Sequence, residues 1–413
     1  MPLTLLAHPL LVRGELPVSA FELALLAVCL MLVVSTVAGR IFRRTTAGGP
    51  PPSVAVQAPI TDPATAGVAF WLTRAIGLSL LVLAVAAGIL GSTDELSNIA
   101  PVLVVGAGWP LLLLGSLVLG DVWLWLNPFD TLARALTWAG AGDGDPDTAQ
   151  RSVWWAVLWG ALWMGYITVW PTALSPRSVG TALSVYTFVT LAGCLATGRR
   201  TWLQRGEFFT VYLGLLAGVR RYGWRLGLPR GGGAVCGVVA GGALFGLIRD
   251  SDIGTPLAFG PNAVGYSRLG VVVAMVLIGA LAEGVTRFRS GTGAAAAVGL
   301  IPTAAGLALA MALARYRFTT SVQLLPVLAS DPFGAGVDLF GTRGLELRAQ
   351  PFDVITLIWA QAVTAVLGSV GGILLARRRA AAASGRQRVD ATLAAVTLLS
   401  LLVGIGVAAI GAF

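Results

Sequence analysis

The stretch that decides the fold is residues 293–314, GAAAAVGLIPTAAGLALAMALA, which runs for 22 residues without a charged side chain. A helix needs about 20 mostly apolar residues to cross the hydrocarbon core of a bilayer. The whole chain has the same character, since 56% of its 413 residues are hydrophobic and only 11% are charged. Soluble globular chains carry about 25% charged residues. The composition therefore excludes the soluble classes and indicates an all-α polytopic membrane protein.

The basic residues are all arginines, 28 of them, and the formal net charge is +9. In a soluble protein this excess would suggest a nucleic-acid partner. In a membrane protein the positive-inside rule accounts for it, so we expect the lipid bilayer of the cell membrane as partner and no nucleic acid. His8 is the only histidine and the three cysteines have no CxxC spacing. The sequence therefore predicts neither a metal site nor a cofactor.

The apolar stretches predict about ten transmembrane helices in one integral membrane domain, 1–413. Their expected bounds are 18–39, 68–91, 101–120, 152–170, 180–198, 232–248, 268–287, 293–314, 353–376 and 392–412. Ten spans place both termini on the same side. The loops on the side of the membrane away from the termini carry 19 arginines. The segments on the side of the termini carry 8. The positive-inside rule then predicts a cytoplasmic location for the arginine-rich loops and an outside location for both termini.

Two prolines lie in the middle of predicted spans, Pro110 in the third and Pro302 in the eighth. A proline inside a helix removes a backbone hydrogen bond. Five spans per half would give two inverted halves, 18–198 and 232–412, in which these two spans correspond. Helix breaks at matching positions of inverted halves are typical of a transport site.

Two cytoplasmic loops are predicted to contain short helices. The basic segment 199–231 includes an apolar stretch, 207–218, that is too short to span and is expected to be interfacial or re-entrant. In the loop after the third span, an asparagine followed by proline predicts a helix over 128–139. We expect that helix on the cytoplasmic surface, beside the membrane anchors Trp123 and Trp125.

Ionisable and amide side chains inside spans are candidate functional groups because they are expensive to bury in lipid. Glu22 lies in the first turn of the first span, and Arg74 lies near the inner end of the second, from where it can snorkel to the headgroups. Glu283 and Arg287 have the i, i+4 spacing of a helix-surface ion pair. Gln361 lies at mid-depth in the ninth span, where amides commonly bind a neighbouring helix.

The outer segment 319–351 is unusually apolar for a loop and is predicted to fold back as a lid. Four acids in or next to it are candidates for binding a cation from the outer side, although acids in outer loops are usually solvated. They are Asp331, Asp338, Glu346 and Asp353.

Several short blocks resemble the multi-pass membrane proteins of actinobacteria and haloarchaea named fenitrothion hydrolase or fenitrothion-hydrolase-like. The matching blocks begin with AHPLLVRGELP at 7–17 and SNIAP at 97–101 and continue with GDVW at 120–123, LNP at 126–128, GRRTWLQRGEFF at 198–209, SDPFG at 330–334 and DLFGT at 338–342. The resemblance implies a membrane-embedded hydrolase of organophosphate esters. The family pattern has histidines where this chain has Arg315, Ser369 and Arg377. This chain retains an acid of the family pattern as Glu283.

Three functions follow from these observations. The first is permease-like transport of a solute or ion, indicated by the spans, the paired prolines and the sparse intramembrane charges. The second is the hydrolase that the resemblance implies, for which the sequence offers no catalytic constellation. The third is a non-catalytic membrane scaffold. The sequence favours transport.

Overall fold

A computed structural model gives the fold of this chain. It describes residues 19–43, 54–55, 67–138, 142–143, 152–254, 262–287, 293–314, 317–345, 352–382 and 385–412. His8, Arg315 and Glu346, which the sequence singles out, lie outside these residues.

The described residues are almost entirely helical, as the composition predicts. The helices are α1 (Ala20–Arg43), α2 (Val68–Leu90), α3 (Ile99–Pro101), α4 (Gly108–Val118), α5 (Val122–Leu126), α6 (Pro128–Trp138), α7 (Trp154–Val169), α8 (Pro176–Thr197), α9 (Arg199–Arg205), α10 (Phe208–Tyr222), α11 (Gly232–Asp250), α12 (Ala263–Arg287), α13 (Gly293–Ala314), α14 (Arg317–Ser330), α15 (Val354–Ala381) and α16 (Gly385–Gly411). A π-helical turn, Val102–Gly106, joins α3 to α4, and two short parallel strands, β1 (Val54–Ala55) and β2 (Leu226–Gly227), pair with each other.

Each predicted span contains a helix, and among the described residues nine helices are long and apolar enough to cross a membrane. This confirms a polytopic helical membrane protein. The predicted fourth span is the exception in length, because α7 has 16 residues. That is shorter than the roughly 20 residues that a span usually needs. The count of ten and the outside location of the termini stay predictions.

Two of the long helices lie in the centre of the bundle. In α11 and α13, 89% of the most apolar stretch is buried inside the protein, against 22–28% in α1, α2, α8 and α12. The outer helices therefore present their apolar side chains to lipid, while the two central helices contact other helices on every side. Small residues allow this, since α13 consists largely of alanine, glycine and leucine.

Gly237 and Gly241 of α11 have the GxxxG spacing that lets a neighbouring helix approach closely, and glycines form close helix contacts in the structure. A Cβ at Gly237 would lie 2.7 Å from the Gly279 Cα of α12, and one at Gly241 would lie 2.7 Å from the Ala274 carbonyl oxygen. Likewise, a Cβ at Gly306 of α13 would lie 3.0 Å from the Gly368 Cα of α15. Side chains at these positions would push the helices apart.

A first segment, 120–138, folds back into the bundle between spanning helices. Gly120 has a φ of +102°, which favours glycine, and allows α5 to reverse along α4. The last residue of α5, Leu126, lies against Gly77 of α2. A Cβ atom at Gly77 would overlap the Leu126 carbonyl oxygen. Gly77 is the tenth residue of the 23-residue helix α2, about 15 Å from its start at 1.5 Å per residue. Helix α6 then returns from this depth.

A second segment, 198–222, folds back in the same way. Gly198, with a φ of +89°, reverses the chain after α8, and Trp202 of α9 packs on Gly193. The chain then reaches the level of Tyr186, the eleventh residue of the 22-residue helix α8, before α10 returns. We call 120–138 and 198–222 the two re-entrant segments. Both segments enter from the same side of the bundle. Gly88, near the end of α2, packs against the start of α8, so the two helices are antiparallel. The start of α2 and the end of α8, beside which the two segments enter, therefore lie on the same side.

Gly77→Ala is expected to destabilise the fold by about 1–3 kcal/mol, because the new methyl group would collide with the backbone of the first re-entrant segment. Gly165→Ala in α7 is the matched control, since a Cβ there meets nothing within 4 Å. Unfolding in mixed detergent–SDS micelles measures both variants. Equal stability of the two would contradict the close approach of α2 and Leu126.

Candidate functional site

The two re-entrant segments meet at Asn127. Its Oδ1 accepts a hydrogen bond from the Asp130 backbone N–H at 3.0 Å, which caps the start of α6. Its Nδ2 donates to the Thr210 hydroxyl in the first turn of α10 at 2.9 Å, and its carbonyl oxygen accepts from Arg74 Nη1 at 2.9 Å. The beginnings of α6 and α10 therefore lie side by side inside the bundle, about half-way along the neighbouring spans.

Asp130 is the centre of a buried ion cluster on one side of this junction. Its carboxylate lies 2.7 Å from Arg74 Nη1, 2.5 Å from Arg199 Nη1 and 3.1 Å from Arg134 Nε. Asp130 is 6% exposed and the three arginines are 2–7% exposed. The carboxylate of Asp143, at the edge of the cluster, lies 2.8 Å from Arg199 Nε. Burial acts to raise the pKa of Asp130, but the three guanidinium groups hold that pKa below its usual value.

The cluster corrects two predictions. Arg74 does not snorkel to the headgroups, because its guanidinium is held inside the protein by Asp130 and Asn127. Helix α6 exists where the sequence predicts it, but its location on the surface is wrong, since Phe129 and Asp130 are buried. Trp123 is also buried and only Trp125, at 45% exposure, keeps the character of a membrane anchor.

Glu207 is the buried acid on the other side of the junction. It is fully buried at the start of α10, where its carboxylate accepts the backbone N–H groups of Phe209 at 2.9 Å and Thr210 at 2.6 Å. The Tyr186 hydroxyl donates to it at 2.5 Å, and the Trp123 indole N–H donates at 3.3 Å. The Thr210 hydroxyl is a further donor. Among the described residues no arginine pairs with Glu207, so its carboxyl group is surrounded by hydrogen-bond donors and dipoles and not by a cation.

Glu207 is not among the residues predicted from the sequence, because it lies in the basic segment 199–231, outside both the predicted spans and the outer segment that supplied the candidate acids. A signal was available, since Glu207 directly precedes the apolar stretch that was expected to be interfacial or re-entrant. The burial of Phe208 and of Val211–Gly218 in α10 favours the re-entrant alternative.

An aromatic cluster covers Glu207 on the side of the central spans. Phe208 stacks on Tyr212 with ring centroids 5.7 Å apart, and Phe209 contacts Trp163 at 5.4 Å. Trp109 of α4 contacts both phenylalanines. The cluster surrounds the carboxylate with low-polarity groups, which strengthens every electrostatic interaction that it makes.

A cavity of about 360 Å³ lies between the two re-entrant segments. Segment 120–138 contributes Asp121, Leu124 and Trp125, and segment 198–222 contributes Arg220 and Arg221 among others. Asp121 caps α5 by accepting from the Leu124 N–H at 3.0 Å, and burial raises its pKa.

Glu283 and Arg287 form the predicted ion pair, 2.9 Å from Nε to carboxylate. Glu283 is 6% exposed. Besides the ion pair, its carboxylate accepts hydrogen bonds from the Gly231 N–H at 2.8 Å and the Ala234 N–H at 3.3 Å. It therefore caps the start of central helix α11 from the neighbouring helix α12. Its interactions are those of a structural residue.

Glu283→Ala is expected to lower the unfolding free energy by about 0.5–2 kcal/mol, the usual effect of losing a helix cap. Arg287→Ala is the matched control and should have the smaller effect, because Arg287 is half exposed. Unfolding in mixed micelles compares the two. A larger loss for Arg287→Ala would show that the ion pair, and not the cap, is the stabilising contact.

Glu22 and Gln361 lie away from the junction. Glu22 is exposed and accepts from the Ser19 backbone N–H at 2.8 Å, while the Ser19 hydroxyl accepts from the Glu22 N–H at 3.3 Å. This is the reciprocal capping box that starts a helix. Gln361 is 3% exposed, and its Oε1 has no hydrogen-bond partner among the described residues.

The outer acids organise their own loop. Asp331 is buried and accepts from the backbone N–H groups of Ala335 and Gly336, both at 2.8 Å. Asp338 is exposed and accepts from the Arg343 N–H at 3.3 Å. Asp353 caps α15 through the Thr356 N–H at 3.1 Å. Within the described part of the chain, no group of three or more histidines, cysteines or acids is placed to hold a metal ion.

The two prolines differ in their surroundings. Pro110 lies in the first turn of α4, directly after the π-helical turn, where the Ala107 N–H bonds the Val102 carbonyl. Pro302 lies inside α13, which continues as one α-helix from Gly293 to Ala314. Of the two helices, only the one at Pro110 changes type, from the π-helical turn to the α-helix. The inverted halves stay a prediction.

Comparison with protein-family models, with curated proteins and with solved structures gives no match to this chain. The resemblance to the fenitrothion-hydrolase-like proteins therefore stays a prediction. The site has to be interpreted from its own geometry.

Proposed function

We propose that this membrane protein is a transporter whose pathway follows the contact between the two re-entrant segments. The observation that carries the proposal is the meeting of the starts of α6 and α10 at Asn127 and Thr210, half-way along the spans. Helices that begin inside a membrane direct their positive dipole ends at one point, and transporters use such points to bind substrates and ions.

Glu207 supports the same interpretation. An acid buried in a membrane protein without a paired cation is a functional candidate by default. Tyr186 of α8 and Trp123 of the first re-entrant segment both donate hydrogen bonds to Glu207. A change in the protonation or the ligand of Glu207 would therefore change the contacts of both elements. The cavity between the segments gives the pathway its opening on one side.

Flux measurements in proteoliposomes test the proposal. The probes are protons, sodium, potassium, chloride, phosphate and a mixture of radiolabelled amino acids, each compared with protein-free liposomes. We expect at least one probe to move, and Tyr186→Phe to slow it about tenfold, the effect of losing one hydrogen bond to a charged group.

Tyr166→Phe is the matched control, because its hydroxyl bonds Ala173 and Ser178 away from the junction. Both variants are tested only as monodisperse protein with the melting temperature of the original chain. No flux for any probe, or equal slowing by the two variants, would contradict the proposed pathway.

A further inference from the structure

The walls of the cavity between the re-entrant segments have a distinct chemistry. Glycines form part of the lining, and a Cβ at Gly214 would meet nothing within 4 Å. Leu124 and Trp125 supply an apolar wall, and Trp125 is 45% exposed at the opening. The cavity is therefore open, has room above its glycines and is apolar on one side.

The charged residues of the cavity are not balanced. Arg220 and Arg221 are both exposed, and neither forms an ion pair with a carboxylate in the described part of the chain. Arg74, Arg199 and Arg200, by contrast, all pair with acids. Asp121 is the one acid among the lining residues. Two positive charges against one negative charge leave a site that attracts an anion.

We propose that this cavity binds a phosphate group, with the guanidinium groups of Arg220 and Arg221 pairing with its oxygens. Guanidinium forks match phosphate geometry and form strong charge-assisted hydrogen bonds. Among the described residues, Asp121 accepts one hydrogen bond, from the Leu124 N–H, so its carboxylate can select ligands with a hydroxyl or ammonium group next to the phosphate. The apolar wall at the opening suits an attached acyl chain, as in basic pockets that bind lipid headgroups.

Two sources can supply this chemistry, a phospholipid headgroup or a soluble phosphate ester, and the experiment separates them. The full-length protein is purified in a phosphate-free detergent buffer. Its melting temperature is titrated in one arm with phosphatidylcholine vesicles containing phosphatidylglycerol, and with phosphatidylcholine vesicles alone. The second arm uses glycerol 3-phosphate and inorganic phosphate.

We expect phosphatidylglycerol or glycerol 3-phosphate to raise the melting temperature. The double variant Arg220→Ala/Arg221→Ala should weaken the apparent affinity at least about tenfold, because two charge-assisted contacts are lost. The control Arg225→Ala/Arg386→Ala removes the same charge from exposed arginines that do not line the cavity and should leave the affinity within about twofold.

A response to the phosphatidylglycerol vesicles that exceeds the response to phosphatidylcholine alone, with none to the soluble ester, assigns the site to a lipid headgroup, and a response to the soluble ester assigns it to a free phosphate compound. An equal response to both kinds of vesicle, with none to the soluble ester, would overturn the proposal. No response in either arm, or equal weakening by the control, would overturn the proposal. The cavity is also the opening of the proposed transport pathway, but binding is measured without flux, so failure of the phosphate site and failure of transport are distinguished.

Discussion

Asp130→Ala is expected to lower the free energy of unfolding by about 3–5 kcal/mol, because it leaves buried arginines without their shared carboxylate. Arg74 and Arg199 are 2% and 4% exposed, so they cannot turn to water without opening the junction. Equilibrium unfolding in mixed detergent–SDS micelles measures the loss. Asp143→Ala is the control, because that carboxylate is 44% exposed at the edge of the same cluster.

The effect should depend on pH in a defined direction. Since the pKa of Asp130 is lower in the folded protein than in the unfolded chain, its contribution is complete above the unfolded pKa, about 4. It is lost as the pH falls through the folded pKa. The difference between the original protein and Asp130→Asn should therefore be full at neutral pH and shrink in strong acid. A loss below about 1 kcal/mol at neutral pH, the range of exposed pairs, would contradict the burial of the cluster.

Glu207→Ala is expected to have a comparable effect, about 3–5 kcal/mol, because several buried donors lose the carboxylate that accepts their hydrogen bonds. The Tyr186 hydroxyl would be left inside an aromatic cluster without the carboxylate to which it donates, whereas the Trp123 indole N–H keeps the Thr210 hydroxyl at 3.2 Å. Glu207→Gln retains one acceptor oxygen and should lose about 1–3 kcal/mol.

Glu22→Ala is the matched control for Glu207→Ala, since both acids act at a helix start but Glu22 is exposed. Its unfolding curve should nearly overlay that of the original protein. If Glu207→Ala unfolded at the same denaturant concentration as Glu22→Ala, Glu207 would have to be in contact with water, and the re-entrant geometry of 198–222 would be wrong.

The membrane class and the positions of the helices were predictable from the sequence because they depend on local composition. A run such as 68–91 is too apolar to be anything but a buried or lipid-facing helix. The GxxxG spacing of α11 and the ion pair of Glu283 were predictable for the same reason, since both depend on neighbours one turn away.

The site was not predictable, because its contacts join residues far apart in the chain. Arg74 bonds a carbonyl 53 residues further along, and with no partner in view a position near the headgroups was the reasonable expectation. Helix α6 was expected on the surface because it lies in a loop beside two tryptophans, and it has a polar face. In the structure that polar face meets arginines from α2 and α9. Short apolar stretches do not reveal from their own composition whether they lie on a membrane or enter it.

The central claim is that segments 120–138 and 198–222 meet inside the bundle, and a cross-link between them tests it most directly. Cysteines replace Asn127 and Thr210 in a chain whose Cys29, Cys194 and Cys236 are changed to alanine, and intact membranes are treated with a short bifunctional thiol reagent. Because the two side chains lie 2.9 Å apart, we predict an intramolecular cross-link and no labelling by a bulky, membrane-impermeant maleimide. Ready labelling of both cysteines from the aqueous side, with no cross-link, would contradict the account.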